Sequence, residues 1–167
     1  MNQSKKTANA FIELSFSEIY DDYGKYPKGQ RTKSKKDTNR LDLALYNNGH
    51  IIHAIEFKRF WQYDTCIYDI ERLAGLLQTI GKKNNKGSLR TGILALPVTA
   101  VKRSENDVLE SLDRNFSKIE DKAAEYIENE HLGKQITKYY FSRGTEYRKA
   151  TVFKNNEDFS SLCIVMK

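Results

Sequence analysis

Asp42, Glu56 and Lys58 are the residues of this chain whose types and spacing best suit chemistry. Glu56 and Lys58 stand two apart at the end of "HAIEFKRF", an apolar run of the kind that Gly or Asn ordinarily closes. Side chains on a strand alternate faces, so both fall on one side, with Ile55 and Phe57 on the other. Asp42 lies in the preceding alternating run, "RLDLALY". Two carboxylates with open positions suit Mg²⁺ (or Mn²⁺), which keeps several waters and accepts a substrate phosphate. An ammonium group beside such a metal orients or deprotonates a water and offsets charge on a pentavalent phosphorus. The chemistry indicated is phosphodiester hydrolysis.

The elements that must position these groups are legible around them. "RLDLALYNNGHIIHAIEFKRF" alternates on both sides of "NNG" and reads as a β-hairpin. A two-residue turn at Asn48-Gly49 would pair Asp42 with Ile55 and put a carboxylate on the greasy face. A three-residue loop, Asn47-Asn48-Gly49, pairs Asp42 with Ala54 and is the expected register. Asp42 is then diagonal to Glu56, about 7–8 Å between backbones, and small Ala44 and Ala54 leave room beside them.

Before the hairpin, "NAFIELSFSEIYDDYG" carries Ile12, Phe16, Ile19, Tyr20 and Tyr23 at helical spacing, with Gly24 at its end. Residues 25–39 are rich in Lys and Arg and read as a flexible loop, as do residues 1–10. After the hairpin, "CIYDIERLAGLLQTIGKK" sets Ile67, Ile70, Leu73, Leu77 and Ile80 on one helical stripe. The apolar "GSLRTGILALPV" then reads as a buried strand, parallel to the second hairpin strand through a right-handed crossover. Ser104 and Asp107 suggest a cap for a long helix whose stripe is Val108, Leu112, Phe116, Ile119 and Ala123. Two closing strands are expected near "QITKYYFSR" and "FSSLCIVMK". The predicted order, α-β-β-α-β-α-β-β, describes one α/β domain over residues 1–167, a central mixed β-sheet flanked by helices.

These residues resemble the PD-(D/E)xK nuclease superfamily, most clearly over "RLDLALY" and "HAIEFKRF". The resemblance implies a restriction-endonuclease-like core and metal-dependent hydrolysis of nucleic acid, with a DNA endonuclease first among the activities. It implies that Asp42 and Glu56 bind metal, that the Phe57 carbonyl is a further ligand, and that Lys58 activates water or stabilises the leaving charge. Leu41 departs from the family pattern, which has Pro before the Asp. Many members add a Glu from the preceding helix; Glu13 borders the apolar stripe and is preferred over Glu18.

Plainer readings exist for each feature. Glu56 and Lys58 could form a same-face surface ion pair worth a few tenths of a kcal/mol. Glu120-Asp121-Lys122 repeats the E-x-K pattern inside a predicted helix, where residues two apart do not face each other, and nothing chemical follows from it. Asp69 and Arg72 either face the site end of the crossover helix or form an exposed helical pair. Lys33, Lys35, Lys36, Arg59 and Arg72 are candidates for contacts to nucleic-acid phosphates, against a solvated basic surface. Trp61 and Tyr63 either stack on a base or sit at the core edge. His50 and His53 are expected on different faces.

Lys and Arg number 28 against 22 acids, a net charge of +6, which favours an anionic partner and nucleic acid, probably DNA, above others. With 39% hydrophobic residues the chain has the means to build a core. Cys66 and Cys163 form no metal-ligand or disulfide pattern. The N-terminus has no apolar stretch of a secretory signal, and no run is long enough to span a membrane, so a cytoplasmic location is expected. One domain carries one site, so cutting both strands would call for a homodimer or a partner subunit. The rivals are a non-cleaving nucleic-acid-binding subunit on the same fold and a protein-interaction or inhibitor domain.

Overall fold

A computed structural model describes residues 8–24, 40–82, 87–101, 105–129, 132, 136–144, 148–149 and 157–167. The chain runs β1 (Ala8–Ser15), α1 (Phe16–Tyr23), β2 (Arg40–Asn47), β3 (His50–Phe57), α2 (Tyr63–Ile80), β4 (Thr91–Val101), α3 (Glu105–Asn129), β5 (Tyr139–Arg143), β6 (Arg148–Lys149) and β7 (Glu157–Met166). It is an α/β domain built on one mixed sheet of order β1-β2-β3-β4-β7-β5, with the two-residue β6 also on β7. β3 and β4 are parallel and joined through α2, as a crossover requires; the other pairings between these strands are antiparallel.

All three described helices pack on one face of the sheet. On that face Ala44, Ala54 and Gly92 stand side by side on β2, β3 and β4. A Cβ on Gly92 would lie 3.0 Å from the Leu73 Cβ, so the missing side chain is what lets α2 approach this closely. The predicted stripes of α2 and α3 are the buried ones: Ile70, Leu73 and Ile80 on α2, Val108, Leu112 and Phe116 on α3. Ala44 and Ala54 are fully buried, so the space expected beside them is filled by packing.

The predicted helix over residues 9–24 is corrected. Its first half is β1, paired antiparallel with β2 from Ala8↔Asn47 to Ser15↔Arg40. Only Phe16–Tyr23 is helical, opened by a capping box in which Ser15 and Glu18 satisfy each other's backbone N–H groups. Residues 8–10, expected to be flexible, belong to β1, while 1–7, the basic loop 25–39 and Ser104 lie outside the described residues.

The hairpin register is corrected too. Asn47 pairs with His50, so the turn is the two-residue Asn48-Gly49, with φ of 51° and 76°. A β-bulge then falls between Leu45 and Tyr46, which pair with His53 and Ile51 and leave Ile52 as the extra residue. The bulge restores the parity that a tight turn alone would have broken. Beyond it Leu43 pairs with Ile55, which sets Asp42 across from Glu56 rather than from Ala54. The expected faces hold beyond the bulge but not before it: Ile51 shares the Ala54 face, and His50 and His53, expected on different faces, fall on one.

Candidate active site

Three elements converge at the end of β3. β2 supplies Asp42, β3 supplies Glu56 and leads into Lys58, and α2 supplies Asp69 and Arg72. Asp42 and Glu56 are cross-strand neighbours, so the Asp42 carboxylate lies close enough to act on Glu56 electrostatically. The Asp42 Oδ2 also accepts the Phe57 N–H at 2.6 Å, which fixes this carboxylate against the strand end. Lys58 continues the ladder with β4 by donating its N–H to the Ala95 carbonyl at 2.8 Å. Its ammonium reaches back to Asp69, with Nζ 2.6 Å from Oδ2.

Arg72 closes the cluster. Its Nη1 donates to Asp69 Oδ1 at 3.0 Å, its Nη2 donates to the Arg40 carbonyl at 2.9 Å, and Nη2 lies 3.0 Å from Glu56 Oε1. The guanidinium is sandwiched near Phe16 and Tyr68, 4.4 and 5.5 Å from their ring centres. Asp69 and Arg72 are one turn apart on α2, so the same face of the helix delivers both.

Glu56 is 3% exposed and Asp69 1%. Three acids meet two cations here, one formal negative charge in excess. Burial, with the nearby Asp69 and Asp42 carboxylates, outweighs Arg72 and pushes the Glu56 pKa up to about 8. A proton on Glu56 removes the excess charge. Burial works to lower the Lys58 pKa, but the hydrogen bond and charge of Asp69, helped by Glu56, win and raise it. Lys58 is therefore an ammonium at neutral pH. Asp42, Lys58 and Arg72 are the part-exposed members around the buried Glu56 and Asp69.

Asp42 and Glu56 offer the carboxylate oxygens that a hard divalent cation takes. Glu56 Oε1 is buried and has the Arg72 ion pair at 3.0 Å but no hydrogen bond among the described residues. Asp42 and Glu56 would be the residues to hold a cation, which would replace the proton that keeps Glu56 neutral. Among the described residues no group of three or more His, Cys, Asp or Glu side chains converges as a ready-made cage. Two carboxylates with open positions are the pattern of Mg²⁺, which relies on waters and substrate oxygens for the rest.

Glu13 is not among the converging side chains. It sits on β1 with a left-handed φ of 54°, and its Oε2 accepts from Arg40 Nη1 at 3.1 Å on the surface. The helical wheel that favoured it does not apply to a strand. Glu18, the rejected alternative, is held in the capping box of α1. Phe57 ends β3 with its ring exposed, and Arg59 is exposed beyond it. Arg72, expected at the phosphates, instead faces inward onto Glu56 and Asp69. Lys33, Lys35 and Lys36 lie outside the described residues. His50 is exposed, while His53 bonds Thr91 through Nδ1 at 2.6 Å. Asp69 was the member that the residue pattern left open. Its signal was an acid one turn before an arginine on the buried side of α2.

No family model, curated protein or solved structure matches this chain. No described helix is long and apolar enough to cross a membrane.

Proposed function

We propose that this protein is a metal-dependent phosphodiesterase and, within that class, a nuclease that cuts DNA. The observation that carries the reading is Asp42 set across the β2–β3 pairing from the buried Glu56, with Lys58 one position beyond on the same face. Asp42 and Glu56 would hold Mg²⁺ or Mn²⁺, which supplies Lewis-acid stabilisation of the phosphoryl oxygens when bound. Lys58 stands at the exposed mouth as an ammonium, placed to orient a water and to offset charge on the phosphate. Asp69 holds Lys58 in position, and Arg72 braces Asp69 and Glu56 together. The resemblance to PD-(D/E)xK nucleases, and the net charge of +6, support nucleic acid as the phosphodiester. A strand–strand–helix–strand unit bearing the three residues at the end of β3 is in keeping with that resemblance.

One observation favours a second reading. Lys58 and Arg72 neutralise the carboxylates within the protein itself, as a structural ion-pair cluster would. On that reading the chain binds nucleic acid without cutting it. Incubation with labelled DNA in Mg²⁺ or in EDTA separates the two: metal-dependent products, lost on Glu56→Gln, belong to the nuclease alone.

A further inference from the structure

The site has a neighbour. Phe60 and Trp61, two and three positions after Lys58, line a solvent-facing cavity of about 320 Å³ together with Val98 of β4 and Asn115, Lys118, Ile119 and Lys122 of α3. Two residues separate Lys58 from Trp61, at most about 11 Å between Cα atoms. A nucleic-acid strand advances about 3.4 Å per nucleotide in a duplex, so the cavity lies within a few nucleotides of a phosphate at Lys58.

Its lining is sorted by chemistry. Val98 and Ile119 are buried and form an apolar floor. Phe60 is 62% exposed, and it stands beside Trp61, which is partly buried against the core. Lys118 and Lys122 are exposed and one helical turn apart, so both ammonium groups sit along the same rim. Among the described residues neither is in an ion pair, and Lys122 lies 6.0 Å from the ring of Tyr63. Asn115 is anchored by donating to the Thr99 carbonyl at 2.9 Å, which fixes an amide in the wall. Aromatic faces beside a row of cations make a platform for unpaired bases and their phosphates. The volume is at the small end of ligand pockets and matches one nucleotide.

We infer that this cavity takes an unpaired base beside the scissile phosphate, stacked on Phe60 and Trp61, with Lys118 and Lys122 on the flanking phosphates. The substrate class is then nucleic acid with unpaired nucleotides at the cut, a single strand, flap or branch, and not a blunt duplex. Paired bases stay in their stack and cannot enter. The inference rests on the phosphodiesterase reading for the word "scissile", but its binding component can be measured alone.

Trp61 is the sole tryptophan, so its fluorescence reports on the cavity directly. In EDTA, where a metal-dependent enzyme cannot cut, the protein is titrated with single-stranded oligothymidylate, single-stranded oligouridylate and a blunt duplex of equal length. Saturable quenching is expected with a single strand and at least tenfold weaker binding of the duplex; the two single-stranded arms show whether the sugar matters. Phe60→Ala and Lys118→Glu/Lys122→Glu should each weaken single-strand binding at least fivefold, and Phe60→Tyr should restore it. These side chains are exposed, and unchanged melting temperatures will confirm that the variants fold. Equal quenching by duplex and single strand, no quenching, or variants that bind as well as the native protein would overturn the inference. Quenching without any cutting in Mg²⁺ would leave the pocket standing and remove the nuclease reading. Cutting of blunt duplex and single strand at equal rates would do the reverse.

Discussion

Lys58 Nζ lies 2.6 Å from Asp69 Oδ2, and this pair ties the end of β3 to α2. The two partners are not equivalent. Asp69 is 1% exposed and also takes Arg72, whereas the Lys58 side chain is 27% exposed and has Asp69 as its close partner. Removing the acid takes the close partner from Lys58 and one of two carboxylates from Arg72, which keeps Glu56; removing the lysine leaves Asp69 its arginine. Asp69→Asn should therefore destabilise the fold by about 3 kcal/mol, and Lys58→Met by clearly less. Urea unfolding of both variants checks the order, and equal losses would mean that Arg72 does not share Asp69 as described.

The proton on Glu56 makes stability depend on pH. The unfolded chain releases it near the ordinary value of 4.5 and the native state near 8. Between these values the native state binds more protons, so stability is highest below about 4.5 and falls as pH rises towards 8. The loss is on the order of a few kcal/mol. Glu56→Gln should flatten the slope and be more stable than the native protein at pH 8 in EDTA. Denaturation at pH 5, 6.5 and 8 gives the comparison; parallel curves for the two proteins would remove Glu56 as the cause.

A cation held by Asp42 and Glu56 should raise the melting temperature. At ten times Kd the stabilisation is about 1.4 kcal/mol, or roughly 3–5 °C for a chain of this size. The effect of Mg²⁺ or Mn²⁺ should grow from pH 6 to 8, because binding displaces the Glu56 proton, and it should vanish in Asp42→Asn. Differential scanning fluorimetry across that range provides the test. A shift that persists in Asp42→Asn would place the metal elsewhere.

The bulge at Ile52 sets the register that brings Asp42 across from Glu56. Deleting Ile52 should remove the bulge and keep the pairs on either side of it, so that Asp42 still faces Glu56 in a regular hairpin. Metal-induced stabilisation and cleavage should both survive, and their loss would mean that the local kink of the bulge itself shapes the site. Gly49→Ala strains a φ of 76° by about 1 kcal/mol and should also leave activity in place.

Much of this arrangement was legible from the residues, and the misses have physical causes. Alternation fixed which side chains share a face in β2 and, beyond the bulge, in β3, and the 3.6-residue stripes of α2 and α3 named their buried sides. Parity survived an error in pairing because a tight turn and a bulge, each shifting the register, combined to preserve it. No local pattern in "HIIHAIEF" marks Ile52 as the bulged residue. β1 was hidden because Ile12, Phe16 and Ile19 mimic a helical stripe across a strand–helix junction. The Ser15-x-x-Glu18 box was the available sign of where the helix starts. Asp69 and Arg72 could be assigned only once α2 was seen to settle on Gly92, a tertiary approach that spacing along the helix does not encode.

The most direct test of the account is hydrolysis itself. Purified protein is incubated with end-labelled single-stranded, duplex and branched DNA, and with RNA, in Mg²⁺, Mn²⁺ or EDTA, with Glu56→Gln and Lys58→Ala prepared identically. The account predicts metal-dependent products from the native protein and a loss of roughly a hundredfold or more in each variant. Intact substrate under every metal condition, or cutting that survives both substitutions, would contradict it.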